Sequence, residues 1–119
     1  MVKPILSIDE IPRQGSIFIY GTGSVGQFFL DILRKFRKDV QVVFLDSFTN
    51  GNMAGYVTLR FKDFLVNSTR NETIVVASSF WPEISRSLSE AGFKHVSQAF
   101  DLFEFSRDTG LQIRLPVEE

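Results

Sequence analysis

One short stretch limits the folds open to this chain more than any other: Ser16-Ile17-Phe18-Ile19-Tyr20-Gly21-Thr22-Gly23-Ser24-Val25-Gly26. A brief apolar run that ends in glycines reads as a buried strand, followed by a tight turn and the opening of a helix. Gly21, Gly23 and Gly26 stand in G-x-G-x-x-G spacing, that of a dinucleotide-binding loop. In such a loop the first glycine turns the chain off the strand. The second lets a pyrophosphate approach the backbone, and the third lets the helix pack close to the strand. The free amides at the helix start then face the phosphate. Glycines at a turn also serve the turn alone, so the spacing by itself leaves a purely structural use open.

The residues downstream extend the pattern. Ser24 is the expected N-cap. Val25, Phe28, Phe29, Ile32, Leu33 and Phe36 fall on one helical face, the mark of an amphipathic helix against a core. Arg37 and Lys38 close it, where cations suit the dipole; a solvated helix end is expected, with anion binding as the alternative. Residues 40–45 form a second strand rich in β-branched residues, ending at Asp46. A carboxylate at that distance from the glycine loop can accept hydrogen bonds from ribose hydroxyls and favours NAD over a 2′-phosphorylated cofactor. The alternative is that Asp46 caps the turn into Ser47-Phe48-Thr49.

Residues 50–55 read as a turn-rich loop and 56–59 as a short edge strand. Phe61, Phe64 and Leu65 mark a brief helix. Residues 73–77 are a further buried strand. Ser78-Ser79-Phe80-Trp81 leads from it to Pro82, expected in the first position of a helix that Gly92 ends as a C′ residue. In that loop, at the carboxyl end of its strand, Ser79 can bond a ligand or cap the helix, and Trp81 can line a pocket or cover the helix start. Residues 95–99 are a last strand. Residues 8–11 suggest one helical turn, 101–105 the start of a terminal helix, and 111–115 an alternating edge strand. The expected fold is α/β and Rossmann-like: a doubly wound, mostly parallel sheet in order 3-2-1-4-5, counting the strands at 17–20, 40–45, 56–59, 73–77 and 95–99. Residues 1–15 form a leader arm, 16–106 the domain and 107–119 a tail.

Composition narrows the function. A net charge of −1 over 119 residues argues against a nucleic-acid surface. The chain has no cysteine, which removes disulfides and thiolate catalysis. One histidine, His95, makes a transition-metal site improbable. No apolar stretch reaches membrane-spanning length, and the first ten residues are not read as a secretion signal, so a cytoplasmic location without membrane insertion is expected. The 13 phenylalanines are read as core. No nucleophile elbow, P-loop or tyrosine–lysine proton relay is present. With about 90 residues used by the α/β unit, a binding module is expected and not a self-sufficient catalyst, though an active site shared across a homodimer stays open.

The run 17–26, Val42-Val43-Phe44-Leu45-Asp46, Gly51 to Val57, Ile74-Val75-Val76-Ala77-Ser78-Ser79, and the helix-then-strand stretch Ile84 to Val96 resemble the small Rossmann domain of bacterial polysaccharide-biosynthesis proteins. That domain stands at the front of nucleoside-diphosphate-sugar epimerases and dehydratases, and of sugar acyltransferases. The resemblance covers about residues 16–104. It implies a diphosphate on Gly21, Gly23 and Gly26, a ribose on Asp46, and the far side of the nucleotide at Ser78 and Ser79. The cofactor-binding set is therefore Gly21, Thr22, Gly23, Ser24, Val25, Gly26, Asp46, Ser47, Ser78 and Ser79, holding NAD or a nucleotide sugar for carbohydrate biosynthesis beside a catalytic partner protein. Two alternatives stand: an interaction domain that has lost its ligand, and a fragment of an S-adenosylmethionine-dependent methyltransferase.

Overall fold

Apolar runs with β-branched residues pair side by side at the centre of this protein, and amphipathic helices cover both faces. The computed structural model describes residues 3–4, 11, 16–53 and 55–99. In chain order these hold β1 (Lys3–Pro4), β2 (Ser16–Tyr20), α1 (Ser24–Phe36), β3 (Gln41–Asp46), β4 (Gly51–Met53), β5 (Tyr56–Arg60), α2 (Phe61–Asn67), β6 (Thr73–Val76), α3 (Trp81–Glu90) and β7 (His95–Gln98). The fold is a single α/β domain with a mixed sheet in the order β1-β7-β6-β2-β3-β5-β4.

The expected order 3-2-1-4-5 therefore needs correction: it describes only the five inner strands. Two strands that it lacked lie outside them. β1 runs parallel to β7, and β4 pairs antiparallel with β5. The stretch read as a turn-rich loop is thus partly strand, and β5 is an inner strand and not an edge. Glycine and asparagine depress intrinsic strand propensity, so only the tertiary partner reveals β4.

Alternation along the central strands splits the core in two. Ile17, Ile19, Phe44, Val75 and Ala77 pack with Phe29, Leu30 and Leu33 of α1. Tyr20, Leu45, Ile74 and Val76 pack on the opposite face with Phe64 of α2, Leu88 of α3, and Phe93. The buried stripe of α1 is Val25, Gly26, Phe29, Leu30, Ile32 and Leu33. Leu30 joins the expected face, while Phe28 and Phe36 lie only at its margin. On the second face Phe64 stacks on Phe93 with ring centroids 5.9 Å apart, and Phe18 lies 4.9 Å from Phe64. Most described phenylalanines are core residues; Phe48 and Phe80 are exposed.

Helix ends explain two further features. α3 closes as expected: the Phe93 amide donates to the Leu88 carbonyl and the Gly92 amide to the Ser89 carbonyl, with Gly92 at φ +96°, the left-handed C′ position that glycine occupies without a Cβ penalty. Pro82 stands second in that helix, after Trp81. At the end of α1 the expected solvated cation is a correction. Arg37 is buried; it grips Asp39 through Nε and Nη2, both at 2.9 Å, and donates Nη1 to the Ile11 carbonyl at 2.8 Å. Ile11 is itself buried in the α1-side core, so this part of the leader lies against the domain. The expected turn at 8–11, apart from Ile11, and the expected elements at 101–105 and 111–115 lie outside the described residues.

Candidate functional site

All the parallel strands present their carboxyl ends to one rim. β2 stands in the middle, with β3 on one side and β6 on the other. The chain leaves β2 toward β3 and returns later to β6, so the loops that follow diverge. A crevice at this reversal of strand order is where open α/β sheets bind ligands. A cleft of about 350 Å³ opens there, lined by Tyr20 to Val25 from the end of β2 into α1, Leu45 to Phe48 around the end of β3, Ala77 to Phe80 after β6, and Ile84 of α3. Of the ten residues expected to bind, Gly21, Thr22, Gly23, Ser24, Val25, Asp46, Ser47, Ser78 and Ser79 line it. Gly26 does not; it is buried beneath the turn.

The three glycines have different reasons to be glycine. Gly21 sits at φ +133°, and a Cβ there would run into the Ala77 carbonyl. A Cβ on Gly26 would strike the Gly21 carbonyl, so α1 and the turn are in direct backbone contact. Gly23 is unlike both. Its φ is −84°, which any residue adopts, and a Cβ on it would meet nothing within 4 Å. The fold requires glycine at 21 and 26 but not at 23, where the missing side chain leaves room in the cleft.

Gly23, and not the expected Ser24, is the N-cap of α1, with no side-chain cap and no acidic residue in the first turn. The first intrahelical bond runs from the Gln27 amide to the Gly23 carbonyl at 3.0 Å. Helix geometry leaves the amides of Ser24, Val25 and Gly26 without an acceptor inside the helix, and they stand at the positive end of its dipole.

Asp46 is held by its own turn. Its Oδ2 accepts the Phe48 and Thr49 amides at 2.8 and 2.9 Å and the Thr49 hydroxyl at 3.4 Å; its Oδ1 accepts the Thr22 hydroxyl at 3.2 Å. The turn-capping alternative is thus realised, and the carboxylate also ties the glycine loop to the β3 loop. Desolvation pushes its carboxyl up, but the bonds from the Phe48 and Thr49 amides and the Thr22 and Thr49 hydroxyls outweigh it and hold it below the ordinary 3.8. A carboxylate lowered on folding adds stability above its unfolded-state value and loses it as pH falls through the folded one. An NMR titration of the Asp46 side-chain carbon is therefore expected to give a midpoint below 3.8, and the stability difference between wild type and Asp46→Asn to shrink as pH falls through that midpoint. A midpoint above it would contradict the bonding described.

On the far side of Asp46 a polar recess of about 370 Å³ shares Thr22 and Asp46 with the cleft and is completed by Thr49 to Asn52 and Thr58. Within the cleft the Tyr20 hydroxyl and Ser47 Oγ lie 2.8 Å apart. Ser78 Oγ accepts the Phe80 amide at 3.1 Å, so the Ser78 hydroxyl hydrogen remains to donate elsewhere. Trp81, considered as a pocket residue, packs instead against the α2–α3 side of the core; Phe80 takes the rim position. Tyr20 and Phe80 were missed as lining residues. The signal for both was their place at the carboxyl ends of β2 and β6. Among the described residues no helix is long and apolar enough to cross a membrane. A comparison with protein-family models and with curated proteins finds no match.

Proposed function

We propose that this protein is a nucleotide-binding module whose cleft takes NAD or a nucleotide sugar. The observation that carries the reading is the uncapped, acid-free start of a 13-residue helix opening on a cleft at the reversal of strand order. Backbone amides at a helix start favour a phosphate without any basic side chain, and the described lining residues include none. In this reading the diphosphate rests against Gly23 and the amides of 24–26. The sugar hydroxyls lie toward Asp46, whose Oδ1 takes a single described donor, and toward the polar recess beyond it. Ser78 and Ser79 meet the other half of the ligand. Among the described residues no side chain fills the cleft, which favours a bound ligand over an interaction domain that has lost one. The link to polysaccharide or other carbohydrate biosynthesis, with chemistry supplied by a partner protein, rests on the resemblance described above.

Gly23→Val is the test, because the added side chain has space in the fold and would occupy the cleft. Isothermal calorimetry of wild type is expected to show binding of NAD or of a UDP-sugar. The variant is expected to lose at least tenfold in affinity with its cooperative unfolding preserved. Equal binding by the two proteins, or no binding of NAD, NADP or UDP-sugars by wild type, would remove this reading.

A further inference from the structure

Four large apolar side chains of the described residues are exposed: Phe48 at 81%, Val57, Val66 and Phe80 at 69%. The two phenylalanines both line the same cleft, on loops from opposite sides. Scattered single exposed hydrophobics need no explanation, but two exposed aromatic rings on one opening do. Phe48 follows β3 and Phe80 follows β6, and these strands flank β2 on its two sides. Two strand spacings set the loop roots about 9.5 Å apart. Aromatic rings pair with centroids about 4.5–7 Å apart, so a flat ring held between two others separates them by about 9–14 Å.

The geometry points to Phe48 and Phe80 as an aromatic jaw that takes the planar base of the ligand, an inference resting on the nucleotide-binding reading above. The jaw makes the base, and not only the phosphates, a determinant of affinity. It acts through ring faces, which every base possesses, so it selects for a base over a bare phosphate without choosing strongly among bases. Neither ring supports the fold by burial. The backbone groups at these positions that hold the turns, the Phe48 amide on Asp46 and the Phe80 amide on Ser78, survive truncation of the side chains.

Calorimetry of wild type, Phe48→Ala, Phe80→Ala and Gly23→Val with ADP, UDP and inorganic pyrophosphate tests the proposal. Wild type is expected to bind ADP or UDP at least tenfold more tightly than pyrophosphate. Each phenylalanine variant is expected to lose about tenfold in nucleotide affinity, the scale of one stacking partner, with pyrophosphate affinity unchanged. Gly23→Val is expected to weaken all three probes. Nucleotide affinity unchanged in both phenylalanine variants, or an equal loss toward pyrophosphate, overturns the jaw. If Gly23→Val still abolishes binding in that case, the cleft reading stands without it. Failure of wild type to bind any nucleotide overturns both.

Discussion

Gly21→Ala is expected to cost about 4 kcal/mol of folding free energy, the sum of a strained backbone and a forced displacement. Position 21 carries φ +133°, and the space its Cβ would need is held by the Ala77 carbonyl. That carbonyl cannot swing aside as a side-chain tip can, because its neighbourhood is tied down. The Ala77 amide donates to the Tyr20 carbonyl at 2.9 Å, and the Gly21 amide to the Leu45 carbonyl at 3.1 Å. Gly26→Ala meets the same obstacle from the helix side, at the Gly21 carbonyl, but regains up to about 1 kcal/mol of helix propensity. Its expected cost is about 2 kcal/mol. Gly23→Ala serves as the internal contrast and is expected to change stability by less than about 1 kcal/mol. Urea unfolding of the three variants reads the ranking directly. A Gly21→Ala midpoint indistinguishable from wild type would show that the turn does not pin β2, β3 and β6 together as described.

Arg37→Met is expected to cost about 3 kcal/mol. The ion pair is not the main reason, since the Asp39 side chain is 43% exposed and water can re-solvate it once the partner is gone. The larger loss is at the Ile11 carbonyl, which has the Arg37 Nη1 as a donor at 2.8 Å in a buried position. A buried acceptor stripped of its donor bears the desolvation penalty in full. Arg37→Lys is expected to restore only a part, because an ammonium cannot grip Asp39 with two nitrogens while reaching Ile11 with a third. Urea unfolding of the pair checks this. Two variants within about 0.5 kcal/mol of wild type would mean that the guanidinium is a passenger.

These two positions also mark how far the sequence could be read. The glycine turn, the apolar runs of β2, β3 and β6, and the periodic face of α1 state their roles locally, and each strand or helix formed near where its pattern lay. The cleft followed from them, because loops after parallel strands gather on one rim. Arg37 was misread because a cation at a helix end is ordinarily solvated; only the buried Ile11, whose carbonyl it meets, shows that it is enclosed. β4 was hidden for a related reason. Asn50-Gly51-Asn52 carries turn chemistry, and its pairing with β5 depends on a neighbour and not on its own residues. At Asp46 the two readings were not rivals. The same carboxylate caps its turn and faces the cleft, and spacing alone cannot separate those uses. Trp81 drew attention by its size, whereas exposure falls to Phe80 one residue earlier, a matter of where α3 begins.

The outer strands bear on how copies of this protein can meet. β1 spans two residues and β4 three, so among the described residues each flank of the sheet offers a brief row of backbone donors and acceptors to another chain. Flanks this short give little hold for edge-to-edge ribbon growth. A continuous sheet running through a pair of molecules is disfavoured on either described flank.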